Sequence, residues 1–175
     1  MSMHRLTRRA MLMGLATAWP LRAGAQETAL PRPASLPSMA DAAARRGEAL
    51  VLLVSLPGCP HCERLRRAHL LPLLRESGAG VAQIDSGSAD TLIDFDGASR
   101  SHDAVARGLG VTLTPTVVFL GPRGRELAER LVGAGSADFY GAYLEQRLET
   151  ARRTLRTNTT TTNKRSQNAP HIEHA

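Results

Sequence analysis

The sequence predicts an α/β domain, a central mixed sheet of about four strands with helices on both faces. Three observations predict it. Leu50–Val54 and Thr116–Leu120 are apolar and β-branched runs without alternation, which suits strands buried on both faces. Segments of helical patterning separate them. A Gly121-Pro122-Arg123-Gly124 turn then leads into Arg125–Val132, an antiparallel return that makes a hairpin. A chain of 175 residues has room for one such domain, and 42% apolar content supplies a small core but not a membrane protein.

Residues 1–25 read as an export signal. Met1–Arg9 is basic, Ala10–Trp19 is a short apolar stretch, and Ala23-Gly24-Ala25 supplies the small residues of a cleavage site between Ala25 and Gln26. Thr7-Arg8-Arg9-Ala10-Met11-Leu12 resembles the twin-arginine export motif, with Met11 where that motif usually has Phe. The other reading is an ordinary secretory signal with two adjacent arginines. The apolar stretch falls far short of the ~20 residues of a span, so no membrane span is expected after cleavage. Export of this kind leads to a bacterial periplasm, where disulfide chemistry operates.

Residues 26–37 read as a Pro-rich linker, with Pro31, Pro33 and Pro37 favouring extended chain. The folded domain is expected over residues 38–155. Ser38–Asp41 is a capping-box-like helix start with Asp in place of Glu, and Gly47 is a stop. Leu50–Val54 is the first strand. Beyond Cys62 a helix is expected with Leu65, Ala68 and Leu70 inward and Glu63, Arg64, Arg66 and Arg67 outward; Pro72 should end or kink it near Leu70 or Leu71. A second helical piece, Leu73–Ser77, is stopped by Gly78 and Gly80, and Val81–Ile84 is a short strand.

Asp85–Arg100 is rich in Asp, Ser and Gly and reads as a solvated insertion, with Thr91–Phe95 as a short strand. Its acids Asp85, Asp90, Asp94 and Asp96 lack the spacing of a calcium loop. Ser101 is an N-cap candidate for a helix to Leu109, and Ser136 for a final helix with Asp138 near its start and Arg152 and Arg153 near its end. Residues 156–175 are Thr-, Asn- and Lys/Arg-rich without an apolar period, and are expected to be a disordered tail. His171 and His174 lie in that tail, where solvated side chains are a simpler reading than a metal site.

The formal net charge is +6, but four of those charges are Arg5, Arg8, Arg9 and Arg22, all before residue 26 with no acid among them. Arg152, Arg153, Arg156, Lys164 and Arg165 hold much of the rest. No basic stripe interleaved with aromatics runs through the body of the chain, so nucleic acid is not an expected partner.

The chemistry lies in Leu50–Arg66. An apolar run meets a turn, Ser55–Gly58, and then Cys59 and Cys62, the only cysteines, separated by Pro60 and His61. A strand that ends in Cys-x-x-Cys at the mouth of a helix is the local form of a dithiol redox site. Unpaired N–H groups and the helix dipole favour a thiolate at Cys59. His61 can add positive charge or a hydrogen bond beside it, and Cys62 lies one turn on. A structural disulfide or half of a zinc site is the alternative. Zinc needs two further ligands, His61 is too close in sequence to serve with both cysteines, and His69 and His102 are isolated. No metal and no cofactor are therefore expected.

Gly58-Cys59-Pro60-His61-Cys62 after a buried strand, Thr114-Pro115-Thr116 opening the next one, and Val132-Gly133-Ala134 before the last helix together resemble the thioredoxin superfamily. Over about residues 38–153 the chain resembles its exported bacterial members, including those attached to sulfur-oxidation systems. The resemblance implies a thioredoxin-like fold and a cycle in which Cys59 attacks a partner disulfide and Cys62 resolves the mixed disulfide. It also implies that Pro115 is cis beside the disulfide and that the Thr114 backbone pairs with a substrate segment; a trans proline opening a strand is the alternative.

Two departures stand out. The buried acid six residues before the first cysteine is Leu53 here, and the tryptophan before that cysteine is Gly58. The body resembles reductant-type thioredoxins, whereas Cys-Pro-His-Cys resembles the oxidising DsbA-type site, without that type's long helical insertion. The function expected is a periplasmic thiol–disulfide oxidoreductase acting on protein thiols and disulfides, as a reductase or electron carrier, with a membrane electron donor as a candidate partner. The alternatives are a DsbA-like oxidase and a copper-handling module using Cys59, Cys62 and His61 as soft ligands. No amphipathic stretch is left over, and a monomer is expected.

Overall fold

The computed structural model describes residues 29–77, 80–135 and 137–167. The export signal, the Ala25–Gln26 junction, Gly78, Ser136, His171 and His174 lie outside the described residues. In chain order the elements are α1 (Leu36–Arg45), β1 (Leu50–Ser55), α2 (Pro60–Leu65), a π turn (Arg66–Leu70), α3 (Leu71–Ser77), β2 (Val81–Asp85), β3 (Thr91–Ile93) and β4 (Ser99–Ser101). Then follow α4 (His102–Gly108), β5 (Thr116–Leu120), a 3-10 turn (Pro122–Gly124), β6 (Glu126–Val132) and α5 (Ala137–Gln167).

The main sheet has four strands in the order β2-β1-β5-β6. β1 runs parallel to β2, with Leu52 opposite Ala82, and antiparallel to β5, with Leu52 opposite Val118. β1 is therefore central, and all six of its residues are buried. Its side chains alternate between two cores. Val51 and Leu53 join Leu65, Leu70, Phe119 and the buried side of α5. Leu50, Leu52 and Val54 join Leu36 and Ala40 of α1 and Val105 and Ala106 of α4. The mixed sheet covered on both faces is thus the architecture that the two apolar runs predict.

Several local expectations are corrected. The linker assigned to residues 26–37 is part of the fold from Leu30 onward. Leu30 and Leu36 are buried, Gln83 N–H donates to the Pro31 carbonyl (2.9 Å), and Ile93 N–H donates to the Ala34 carbonyl (2.9 Å). Pro31 tolerates this position because Gln83 needs only its carbonyl. Ser35, not Ser38, caps α1, and Ser38 N–H donates to the Ser35 hydroxyl (3.3 Å).

Of the two outcomes expected at Pro72, an end or a kink, the helix does not end, but its regular α geometry is interrupted just before Leu71. The Arg66–Leu70 turn widens to π geometry, with Leu71 N–H bonded to the Arg66 carbonyl, and the helix continues through Pro72 to Ser77. A widened turn just before a proline relieves the clash that its ring would otherwise make.

Residues 156–167, expected in the disordered tail, continue α5 to Gln167. An existing helix gains one hydrogen bond for each residue added, so no apolar period is needed once Tyr140, Leu144, Leu148, Ala151 and Leu155 anchor it. The insertion also has more order than its composition suggests, since β3 and β4 pair as a small antiparallel hairpin. Ser101 caps α4, its hydroxyl accepting from Ala104 N–H (3.1 Å).

Among the described residues no helix is long and apolar enough to cross a membrane.

Candidate active site

β1 ends at Ser55, the chain turns through Leu56–Gly58, and α2 opens at Pro60. Gly58 has φ +74°, in the left-handed region that favours glycine, which accounts for a glycine before Cys59. Cys59 is the N-cap, and its sulfur accepts from Cys62 N–H (3.2 Å). Pro60 occupies the first turn, where a missing N–H costs nothing.

Cys59 and Cys62 form a disulfide with a Cα–Cα distance of 5.3 Å. The two sulfurs are not equivalent. Cys59 is partly exposed, whereas Cys62 is 0% exposed and packed under the helix. Such a pair can form a mixed disulfide with a partner at Cys59 and be closed from within by Cys62.

Two clefts border the dithiol loop. The first, of about 400 Å³, is polar and is lined by Cys59, Ser55, Arg32, Glu63, Arg66 and Asp85, among others. At its base the buried Asp85 carboxylate accepts from the Arg32 guanidinium and from Gln83 Nε2 (2.7 Å). Behind it lies buried His102, whose Nδ1 accepts from Asp85 N–H at 3.4 Å. Burial, aided by the Arg32 charge, lowers the His102 pKa, which keeps that nitrogen free as an acceptor.

The second is a groove of about 590 Å³. His61 and Arg64 lie on one wall, Leu113, Thr114 and Pro115 on the other, and Tyr140 lines it from α5. The Thr114–Pro115 peptide bond is cis, and the Thr116 hydroxyl donates to the Leu113 carbonyl (2.7 Å), bracing the turn that presents it. The His69 ring packs on Tyr140 at 5.2 Å between centroids.

The structure brings Cys59, Pro60, His61 and Cys62 together at the N-terminus of α2, and His61 shares its groove with Thr114 and Pro115. Leu53 is fully buried in the core and supplies no acid. The buried carboxylate nearest in the sheet is Asp85, paired in register with Ser55 at the end of β1.

Sequence reasoning missed Arg32, because it sits among prolines that read as linker, and it missed Gln83 for want of any motif. It treated His69 as isolated. Tyr140 sits at a core position of α5, so periodicity marks it as packing and gives no sign that it reaches the groove. A buried polar residue ending an apolar strand, as Asp85 does, was the one available signal.

Comparison with known proteins adds three findings. The family described as "Thioredoxin-like domain" matches residues 36–148. Among solved structures, mitochondrial thioredoxin 3 from Saccharomyces cerevisiae is 18% identical, with TM-score 0.44, over 71% of this chain and 97% of that one. The periplasmic thioredoxin SoxS from Paracoccus pantotrophus is 20% identical, with TM-score 0.40, over 58% and 96%. A DsbH oxidoreductase is 16% identical, with TM-score 0.47, over 78% and 94%. A search of curated proteins gives no match.

Proposed function

The chain belongs to the thioredoxin-like family and is a thiol–disulfide oxidoreductase, and from that premise we propose that it works in the periplasm as a reductase or electron carrier for partner proteins. The observation that carries the reading is the asymmetry of its pair, a partly exposed Cys59 capping a helix and a fully buried Cys62 one turn on.

In the proposed cycle the Cys59 thiolate attacks a partner disulfide. One Cys59–partner S–S bond forms, and the partner's other sulfur leaves as a thiolate that takes up a proton. Cys62, deprotonated, attacks the sulfur of Cys59, the partner's second sulfur leaves, and Cys59–Cys62 closes. The partner gains two electrons and two protons. A dithiol donor, with a membrane electron donor as the candidate, returns the pair to the reduced form.

Pro115 and Thr114 are the proposed substrate-facing wall, and His61 the group that favours the Cys59 thiolate. The periplasmic assignment rests on the basic, apolar and small-residue succession of residues 1–25. The lean toward reduction rests on the compact scaffold, in which a hairpin of three-residue strands, β3 and β4, stands where an added helical domain would build a broad substrate surface.

The test is insulin reduction. With dithiothreitol as the electron source, the full chain is expected to accelerate insulin disulfide cleavage well above the uncatalysed rate. No acceleration, together with tight Cu(I) binding, would replace this reading by the copper-handling one.

A further inference from the structure

The groove beside Pro115 is uneven in charge. Its lining includes the Arg64 guanidinium, with His61 and with His69, whose pKa burial lowers, and, among the described residues, no Asp or Glu. The one acid of α2, Glu63, lies elsewhere. Glu63 lines the polar cleft on the other side of the dithiol loop, and it pairs with Arg66 (2.9 Å) and Arg67 (2.5 Å). Arg64 is exposed and makes no ion pair among the described residues.

A second observation points the same way. Tyr140 lines this groove and is only 4% exposed, and its hydroxyl is buried with no hydrogen-bond partner. Burial raises the pKa of that phenol, so it remains a donor. An unpaired buried hydroxyl costs stability unless something satisfies it. Next to it the Gly133–Gly135 turn, with positive φ at both glycines, forms part of the groove wall. A groove lined by an exposed guanidinium without an ion pair, by two imidazoles and by a tyrosine whose buried hydroxyl lacks a partner, with no Asp or Glu among its described lining residues, favours an anion.

We propose that this groove selects partner segments carrying an acidic side chain close to the reacting cysteine, through the charge of Arg64 and the Tyr140 hydroxyl. This rests on the oxidoreductase reading above and names its substrate class. The partner strand lies along Thr114–Pro115 with its cysteine at Cys59. Its carboxylate enters on the His61–Arg64 side, away from Glu63 and Asp85, which would repel it. Tyr140 and Arg64 are specificity residues and take no part in sulfur transfer.

The experiment uses the full chain and peptide disulfides identical except for Glu, Gln or Lys at successive positions on either side of the cysteine. At the favoured position, kcat/KM for the Glu peptide should exceed that for the Gln peptide by about tenfold, the scale of one charge-assisted hydrogen bond. The Lys peptide should be poorer still, and the preference should shrink with added salt. Arg64→Gln and Tyr140→Phe should each pull the Glu-to-Gln ratio toward one. That ratio is insensitive to partial misfolding, because both peptides meet the same folded fraction.

Insulin is the parallel arm. If insulin is reduced and the Glu and Gln peptides react alike, the proposal falls and the oxidoreductase reading stands. It falls equally if glutathione disulfide is turned over better than any peptide, which would make the groove a small-molecule site. If neither insulin nor any peptide is reduced, both readings fall together.

Discussion

Cys59→Ser should abolish insulin reduction, by at least about a thousandfold, because a serine hydroxyl at neutral pH neither ionises nor attacks sulfur as a thiolate does. Cys62→Ser should also stop turnover, but one step later. Its Cys59 remains at the partly exposed N-cap and can still open a partner disulfide. With no buried thiol to resolve the product, a Cys59–partner mixed disulfide should accumulate to about one equivalent and survive non-reducing electrophoresis. The contrast between the two variants is the content of the prediction. If both serine variants trap partner equally, or neither does, the division into attacking and resolving sulfur is wrong. The same Cys62→Ser chain, exposed to a cell extract, would also capture a natural partner for identification.

The second large effect is on stability. Phe119→Ala should cost about 3–5 kcal/mol, the usual price of emptying a fully buried aromatic site. Phe119 is 0% exposed in β5, opposite Val51 on one side and Ala128 on the other. Its core neighbours are apolar side chains such as Leu65, Leu70 and Leu144, already packed in that cluster. Against a total stability of roughly 5–15 kcal/mol for a domain of this kind, the loss would leave a measurable unfolded fraction. It would also loosen the strand that follows Thr114–Pro115, so activity should fall at temperatures where the variant remains largely folded. Urea unfolding with an unchanged m-value and a lower midpoint is the check. A loss under about 1 kcal/mol would contradict the packing of β5 at the centre of the core.

Much of this molecule is legible in its sequence, because a few local patterns determine its central layer. Leu50–Val54 has no alternation, and β1 lies between two strands with a core on either face. Thr116–Leu120 and Arg125–Val132 read as a hairpin and pair as one. The Cys-x-x-Cys spacing at a strand-to-helix junction is legible for the same reason, since its chemistry depends on three consecutive local features.

What escapes such reading is whatever depends on distant parts meeting. Arg32 reaches Asp85 across a sequence separation of 53 residues, and nothing in a Pro-rich segment marks it as part of a cleft. His69 and Tyr140 share a groove although they belong to different helices. Pro72 is a sound helix breaker in isolation, but the π turn before it changes which carbonyl its ring faces. The Thr- and Asn-rich stretch after Arg156 has poor helix formers, yet it inherits a helix already nucleated by packed residues.

The most direct test is to reduce the native chain, treat it with limiting iodoacetamide, and locate the label by peptide mass. Cys59, partly exposed at the helix mouth, is expected to carry nearly all of it, with Cys62 labelled only when denaturant is added. Equal labelling of the two cysteines in the folded chain, or labelling of Cys62 first, would contradict a cycle in which Cys59 attacks and Cys62 resolves.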